Sequence, residues 1–135
     1  METNTTDELV RFDKQDFNIF KLFDSLNREQ AFCGFLQTAC SDSLLQLPQV
    51  SMETFSLFIR RVFAGYFKFS VTYHNDLHAI DVCQMTLVLL NGGVSALGQL
   101  SSIDTLATLL GAACHDLEHD GFNNPYHKNA QTDRF

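Results

Sequence analysis

The chain has 135 residues, the size of one domain, with no room for a second sizeable core. Apolar residues make up 45% of it and charged residues 19%, which argues against intrinsic disorder for everything after the polar first dozen. Nine Lys plus Arg against sixteen Asp plus Glu give a formal charge of -7, which argues against a nucleic-acid or anionic-membrane surface, since both need a basic face.

No apolar stretch approaches the roughly 20 residues of a membrane span. Met1–Val10 carries three acids and no Lys or Arg, so it does not read as a signal peptide, and a cytoplasmic chain is expected. The four cysteines, Cys33, Cys40, Cys83 and Cys114, form no Cys-x-x-Cys pair and are expected to be reduced and mostly buried. Asn4-Thr5-Thr6 matches a glycosylation sequon, but without a secretory signal it reads as part of a polar tail over residues 1–12.

Taken in chain order, Asp16–Leu26 is expected to form a helix. Asn27 with Gln30 forms a capping-box-like start to a second helix reaching about Ala39, and Pro48 closes that region with a turn. Ser51 is placed to cap a third, whose apolar residues Phe55, Phe58, Ile59, Val62 and Tyr66 step along one stripe. A fourth starts near Tyr73–Asp76, runs through Leu77–Leu90 and stops at Asn91-Gly92-Gly93. A fifth, capped by Ser102, carries the stripe Ile103, Leu106, Ala107, Leu110 and Cys114. Asn129–Phe135 reads as the beginning of another, and no alternating pattern suggests a strand. The fold class is all-α.

All five histidines lie between residues 74 and 127. His74 and His78 are four apart, as are His115 and His119, so on continuous helices each pair shares a face on which two imidazoles can approach one site. Asp116 beside His115 adds an oxygen donor. No Cys-x-x-Cys pair accompanies these histidines, so nitrogen-and-carboxylate ligation is implied, the donor set of catalytic metals. A hydrolytic metal site leads on chemistry alone.

The string Tyr73-His74-Asn75-x-x-His78-Ala79-x-Asp81-Val82, followed by His115-Asp116-x-x-His119-x-Gly121-x-x-Asn124, resembles the catalytic core of class I 3′,5′-cyclic-nucleotide phosphodiesterases. The likeness covers roughly residues 45 to 130 and extends more weakly to the helices before. It implies a compact multi-helix bundle of the HD type, with residues 13–135 as the N-terminal portion of a catalytic domain. It implies two divalent ions, zinc plus magnesium or manganese, with His78, His115 and Asp116 as ligands and Asp116 as the bridge. His74 matches the general acid that protonates the O3′ leaving group, and His119, Asn75 and Asn124 match residues that orient the site. The implied partner is a small cyclic nucleotide, cyclic AMP or cyclic GMP, hydrolysed to its 5′-monophosphate in signal transduction.

Two departures stand out. Asp120 occupies the place of the family's usual Pro, where it either strengthens cation attraction or faces solvent, and His127 matches nothing and reads as a surface residue. The family's further metal-binding Asp, its purine-gripping Gln and its aromatic clamp have no counterpart here. The chain therefore reads as truncated, inactive by itself and prone to self-association through helix faces left wet. The competing reading is a non-catalytic, phosphodiesterase-like helical module that regulates or interacts. A generic His-Asp nucleotidase is weaker, since it has no reason to carry the first string.

Overall fold

The computed structural model describes residues 12–92 and 100–134. These form six α-helices and no strand, as expected: α1 (Ile19–Ser25), α2 (Arg28–Leu45), α3 (Met52–Gly65), α4 (Asp76–Gly92), α5 (Ser102–Cys114) and α6 (Asn124–Ala130). The sequon, residues 1–11 of the expected tail, Gly93 of the expected helix stop and Phe135 lie outside the described residues. No helix among the described residues is long and apolar enough to cross a membrane.

Local capping sets the starts of the helices. Asn18, Asn27 and Ser51 accept hydrogen bonds from the backbone N–H of Lys21, Gln30 and Thr54, each filling a donor that the first turn leaves without a partner. At α5 the cap is Ser101 rather than Ser102. Its hydroxyl accepts from Asp104 N–H while the Asp104 carboxylate accepts from Ser101 N–H, a complete capping box. These Ser101 bonds hold the Asp104 carboxyl below its ordinary value of 3.8, so their contribution is present above that pH and fades as pH falls through the lowered value. Ser101→Ala is expected to cost about 1 kcal/mol at neutral pH, read as a lower urea midpoint at unchanged slope.

α2 runs to Leu45, beyond the expected end at Ala39. The polar run after Ala39 looks like a stop, but the Thr38 and Ser41 hydroxyls bond back to the helix's own carbonyls at Gly34 and Thr38, while Cys40, Ser43 and Leu44 turn inward. α1, conversely, is shorter than Asp16–Leu26.

The core lies where α2 meets α3, α4 and α5, around Phe32, Phe35, Leu36, Ile59, Ile80 and Leu109. The α3 stripe is buried at Phe55, Ile59, Val62 and Tyr66, whereas Phe58 stands 43% exposed at its edge. The α5 stripe is rotated from the expected one. Leu106, Leu109 and Ala113 are buried, while Ile103 and Ala107 face outward. This helix is apolar over most of its circumference, so period alone cannot choose the inward line; packing against both α2 and α4 does. Cys33, Cys40 and Cys83 are buried free thiols, and burial pushes Cys40 up to about 12. Cys114 is half-buried and also raised by burial, which removes a thiolate beside His115 as a nucleophile.

Two ties bring the helix ends to the same side of the molecule. The buried Tyr66 hydroxyl, at the end of α3, donates to the Ala113 carbonyl near the end of α5 at 2.7 Å. The Cys83 thiol of α4 donates to the Leu109 carbonyl of α5. The end of α5 thus lies against the start of α4.

Candidate metal centre

The start of α4 is built by Asn75. Its side-chain oxygen accepts from His78 N–H at 3.1 Å, its amide donates to the Thr72 carbonyl, and its own carbonyl accepts from Ala79 N–H. Because the helix begins at Asp76, His74 lies in the preceding loop rather than on one continuous helix with His78. Their ring centroids are nevertheless 6.0 Å apart.

The second motif is not helical throughout either. His115 is the C-cap of α5, turns follow, Glu118 takes φ 58°, and Gly121 takes φ 90°, a conformation that needs glycine. The chain reverses here against the end of α3. A Cβ on Gly65 would come within 2.6 Å of Leu117 Cδ1, and Lys68 forms an ion pair with Glu118. His115 and His119, four apart in sequence, therefore both reach Asp116 through a reversal and not through a helix face.

His78 Nε2, His115 Nε2 and Asp116 Oδ2 make a triangle with edges of 3.3, 3.0 and 3.4 Å. Around a tetrahedral ion with bonds of about 2.1 Å, ligand atoms stand about 3.4 Å apart, so these edges match the edges of a coordination sphere. The tautomer agrees. His115 Nδ1 donates to the Ala112 carbonyl at 2.7 Å, which leaves the Nε2 lone pair free to face the triangle. Burial, then the neighbouring His115, lowers the His78 pKa against the pull of Asp116, favouring the neutral imidazole that a metal requires. A nitrogen, a nitrogen and a carboxylate with an open side fit a catalytic divalent ion.

His74, Asp116 and His119 form a second group whose ligating atoms lie within 4.8 Å of one another, so Asp116 is common to both. The His74 and His119 rings stack at 3.9 Å. His119 Nδ1 accepts from Gly121 N–H at 2.9 Å, which puts the ring proton on Nε2 and makes this imidazole a neutral donor with no lone pair left for a metal. His74 thus stacks on a ring whose Nδ1 is already occupied by a backbone donor.

Asn124, expected near the site, is the exposed first residue of α6, and its neighbour Asn123 provides the cap. α6 ends at Ala130 with Gln131 in the left-handed region, so Asn129, expected to begin a helix, lies in the last turn of one. His127 is not a surface residue. It is 8% exposed, with Nδ1 against Thr132 Oγ1 at 2.7 Å and Nε2 against Asp120 Oδ1 at 3.2 Å. Asp120 therefore neither faces solvent nor turns to the triangle. It also takes Phe122 N–H and Arg134 Nε, and these donors hold its carboxyl below the ordinary value in spite of burial. Where a Pro would stiffen the loop covalently, Asp120, His127 and Arg134 brace it. The only sequence signal for this brace was the pair of departures at positions 120 and 127.

A cleft of about 270 Å³ opens beside His78, between Phe20, Tyr73, Leu77 and Asp81. A wider one, about 710 Å³, lies between Thr38, Asp42, Leu87 and Leu100 and includes none of the histidines.

Residues 73–134, which hold every member of this centre, match the family described as 3′5′-cyclic nucleotide phosphodiesterase. The 3′,5′-cyclic-nucleotide phosphodiesterase regA of Dictyostelium discoideum is 41% identical over 91 residues, which is 65% of this chain and 11% of that protein. The dual specificity calcium/calmodulin-dependent 3′,5′-cyclic nucleotide phosphodiesterase 1 of Drosophila melanogaster is 41% identical over 71 residues, 52% of this chain and 8% of its own length. The human 1C enzyme of that name is 29% identical over 122 residues, 90% of this chain and 17% of its own length. The chain thus spans a small fraction of the length of these relatives. Both histidine strings, the helical fold and the matched segment agree in making the chain similar to class I 3′,5′-cyclic-nucleotide phosphodiesterases over the part that holds this centre.

Proposed function

We propose that residues 13–135 are part of the catalytic domain of a metal-dependent phosphodiesterase that opens the 3′,5′-cyclic phosphodiester of cyclic AMP or cyclic GMP to the 5′-monophosphate. The observation that carries this reading is the triangle of His78 Nε2, His115 Nε2 and Asp116 Oδ2, with the His115 lone pair turned inward by the Ala112 carbonyl. Its donor set suits zinc, and the oxygen of Asp116, common to the second group, suits a neighbouring magnesium or manganese. Divalent ions held there would supply Lewis acidity to the phosphoryl oxygens and an activated water for an in-line displacement.

The chain's own residues do the rest. His78, His115 and Asp116 would hold the divalent ion whose charge attracts the cyclic phosphate. His119, fixed by Gly121 N–H, presents its Nε2–H as a donor beside Asp116. His74, stacked on that ring beside Asp116, would serve as the general acid that protonates O3′ as the phosphorus–oxygen bond breaks. Asn75 fixes the helix start between the two motif histidines.

The 135-residue polypeptide is expected to be a poor catalyst by itself, since the purine-binding groups implied by the family have no counterpart in it. Exposed Phe58, Leu57, Ile103 and Leu89 also favour self-association. The test is therefore a long incubation of concentrated, metal-loaded protein with cyclic AMP or cyclic GMP, with chromatography of the nucleotides. A 5′-monophosphate product above the protein-free blank supports the reading, and its absence with the metal site filled favours the non-catalytic module. His74→Ala is expected to keep metal content within about twofold and to lower product formation about a hundredfold, the usual scale for a lost general acid. Loss of metal in His74→Ala would make His74 a ligand and overturn its role as acid.

A further inference from the structure

Asp76, the first residue of α4, is 0% exposed, and a buried carboxylate is costly unless both of its oxygens are paired. Arg28, the first residue of α2, pairs both: Nε donates to Oδ2 at 2.9 Å and Nη2 donates to Oδ1. This is the two-pronged geometry that a guanidinium provides and an ammonium does not. The Arg28 guanidinium also lies 5.5 Å from the centroid of Phe67, just beyond the end of α3. One side chain thus joins the start of α2, the segment after α3 and the start of α4.

That junction matters because of what lies on either side of it. His74 is two residues before Asp76 and His78 two residues after, and the segment from Phe67 to Asn75 contains no helix of its own. Contacts such as Cys83 to Leu109 fix the middle of α4 against α5. Cys83 lies a turn beyond the first turn, where a tilt would move His78 Nε2 out of a triangle with edges of 3.0 to 3.4 Å. From this geometry we infer that Arg28 is a positioning residue for the metal centre, acting through Asp76 to hold the first turn of α4 so that His78 meets His115 and Asp116. The inference rests on reading those three residues as a metal centre.

The test is a Co²⁺ titration of the full chain, followed by visible absorption of the bound ion, with thermal midpoints of the metal-free proteins measured in parallel. Arg28→Gln, Arg28→Lys, and Arg28→Gln combined with Asp76→Asn are compared, each well below its own midpoint. Arg28→Gln is expected to weaken Co²⁺ about tenfold or more and to alter the absorption band, the scale known for groups that orient metal ligands. The double variant leaves no buried unpaired charge, so its midpoint should recover towards wild type while the weakened affinity and altered band persist. Arg28→Lys should likewise restore stability more than affinity. A merely structural role predicts the opposite: affinity recovers in step with the midpoint, or stays within about twofold of wild type in every variant, and either result overturns the inference alone. A wild-type chain whose Co²⁺ spectrum is absent, or unchanged by His115→Ala, overturns the metal-centre reading and the positioning role with it.

Discussion

Asp116→Ala is expected to abolish useful divalent-metal binding, weakening Co²⁺ or Zn²⁺ by at least about a hundredfold, which corresponds to about 2.8 kcal/mol. The effect exceeds that of any single histidine because Asp116 supplies the only negative charge of the triangle, 3.0 Å from His115 Nε2 and 3.4 Å from His78 Nε2. Its loss leaves imidazoles facing one another with nothing to offset a divalent charge. Asp116→Asn keeps the shape and loses the charge, and should fall nearly as far. Metal added to the wild-type chain should raise its thermal midpoint by mass action, and a chelator should reverse this; in Asp116→Ala the midpoint should not respond to metal. Undiminished Co²⁺ affinity in Asp116→Ala would show that the triangle is not the binding site.

Phe32→Ala should produce the largest loss of stability, about 3 to 5 kcal/mol. Phe32 is 0% exposed and packs against the rings of Phe63 and Tyr66, with centroids 5.5 and 6.1 Å away. Removing the ring opens a cavity where α2 meets α3, and a loss of that size is a large part of the 5 to 15 kcal/mol typical of a domain. For a body of this length it should lower the midpoint by about 15 °C or more. The consequence reaches the site. Tyr66 leans on Phe32 and donates to the Ala113 carbonyl, two residues before His115, so a slackened Tyr66 loosens the end of α5. Weaker Co²⁺ binding by Phe32→Ala at a temperature where the variant is still folded would confirm that coupling. A midpoint shift of only a few degrees would show that the site can collapse around the missing ring.

What could be read from the residue order and what could not divide along the range of the forces involved. Asn27 and Ser51 were legible because a cap is decided by hydrogen bonds within three or four residues. The same locality made the two histidine strings conspicuous, and with them the family. It misled where two local solutions were nearly equal. Ser101 and Ser102 are both good caps, and Asp104 N–H reached the first; the polar end of α2 looked like a stop until its hydroxyls found their own helix's carbonyls.

The inward line of α5, the burial of His127 and the meeting of His78 with His115 depended on the tertiary fold. Spacing suggested that each histidine pair shares a helix face. In the structure the pairs sit at opposite helix ends, and their nitrogens meet because α4 and α5 pack along their lengths, with Cys83 tying the middle of α4 to α5 and Tyr66 tying the end of α5 to α3. His127 turned inward because Asp120 and Thr132, on either side of it in the chain, close around its two nitrogens once α6 folds back. The amino-acid sequence by itself determined the helices, their caps and the chemical types at the site. Which nitrogen faces which oxygen, to a few tenths of an ångström, was decided by the tertiary structure, because that distance is the sum of many small packing energies between residues far apart in the chain.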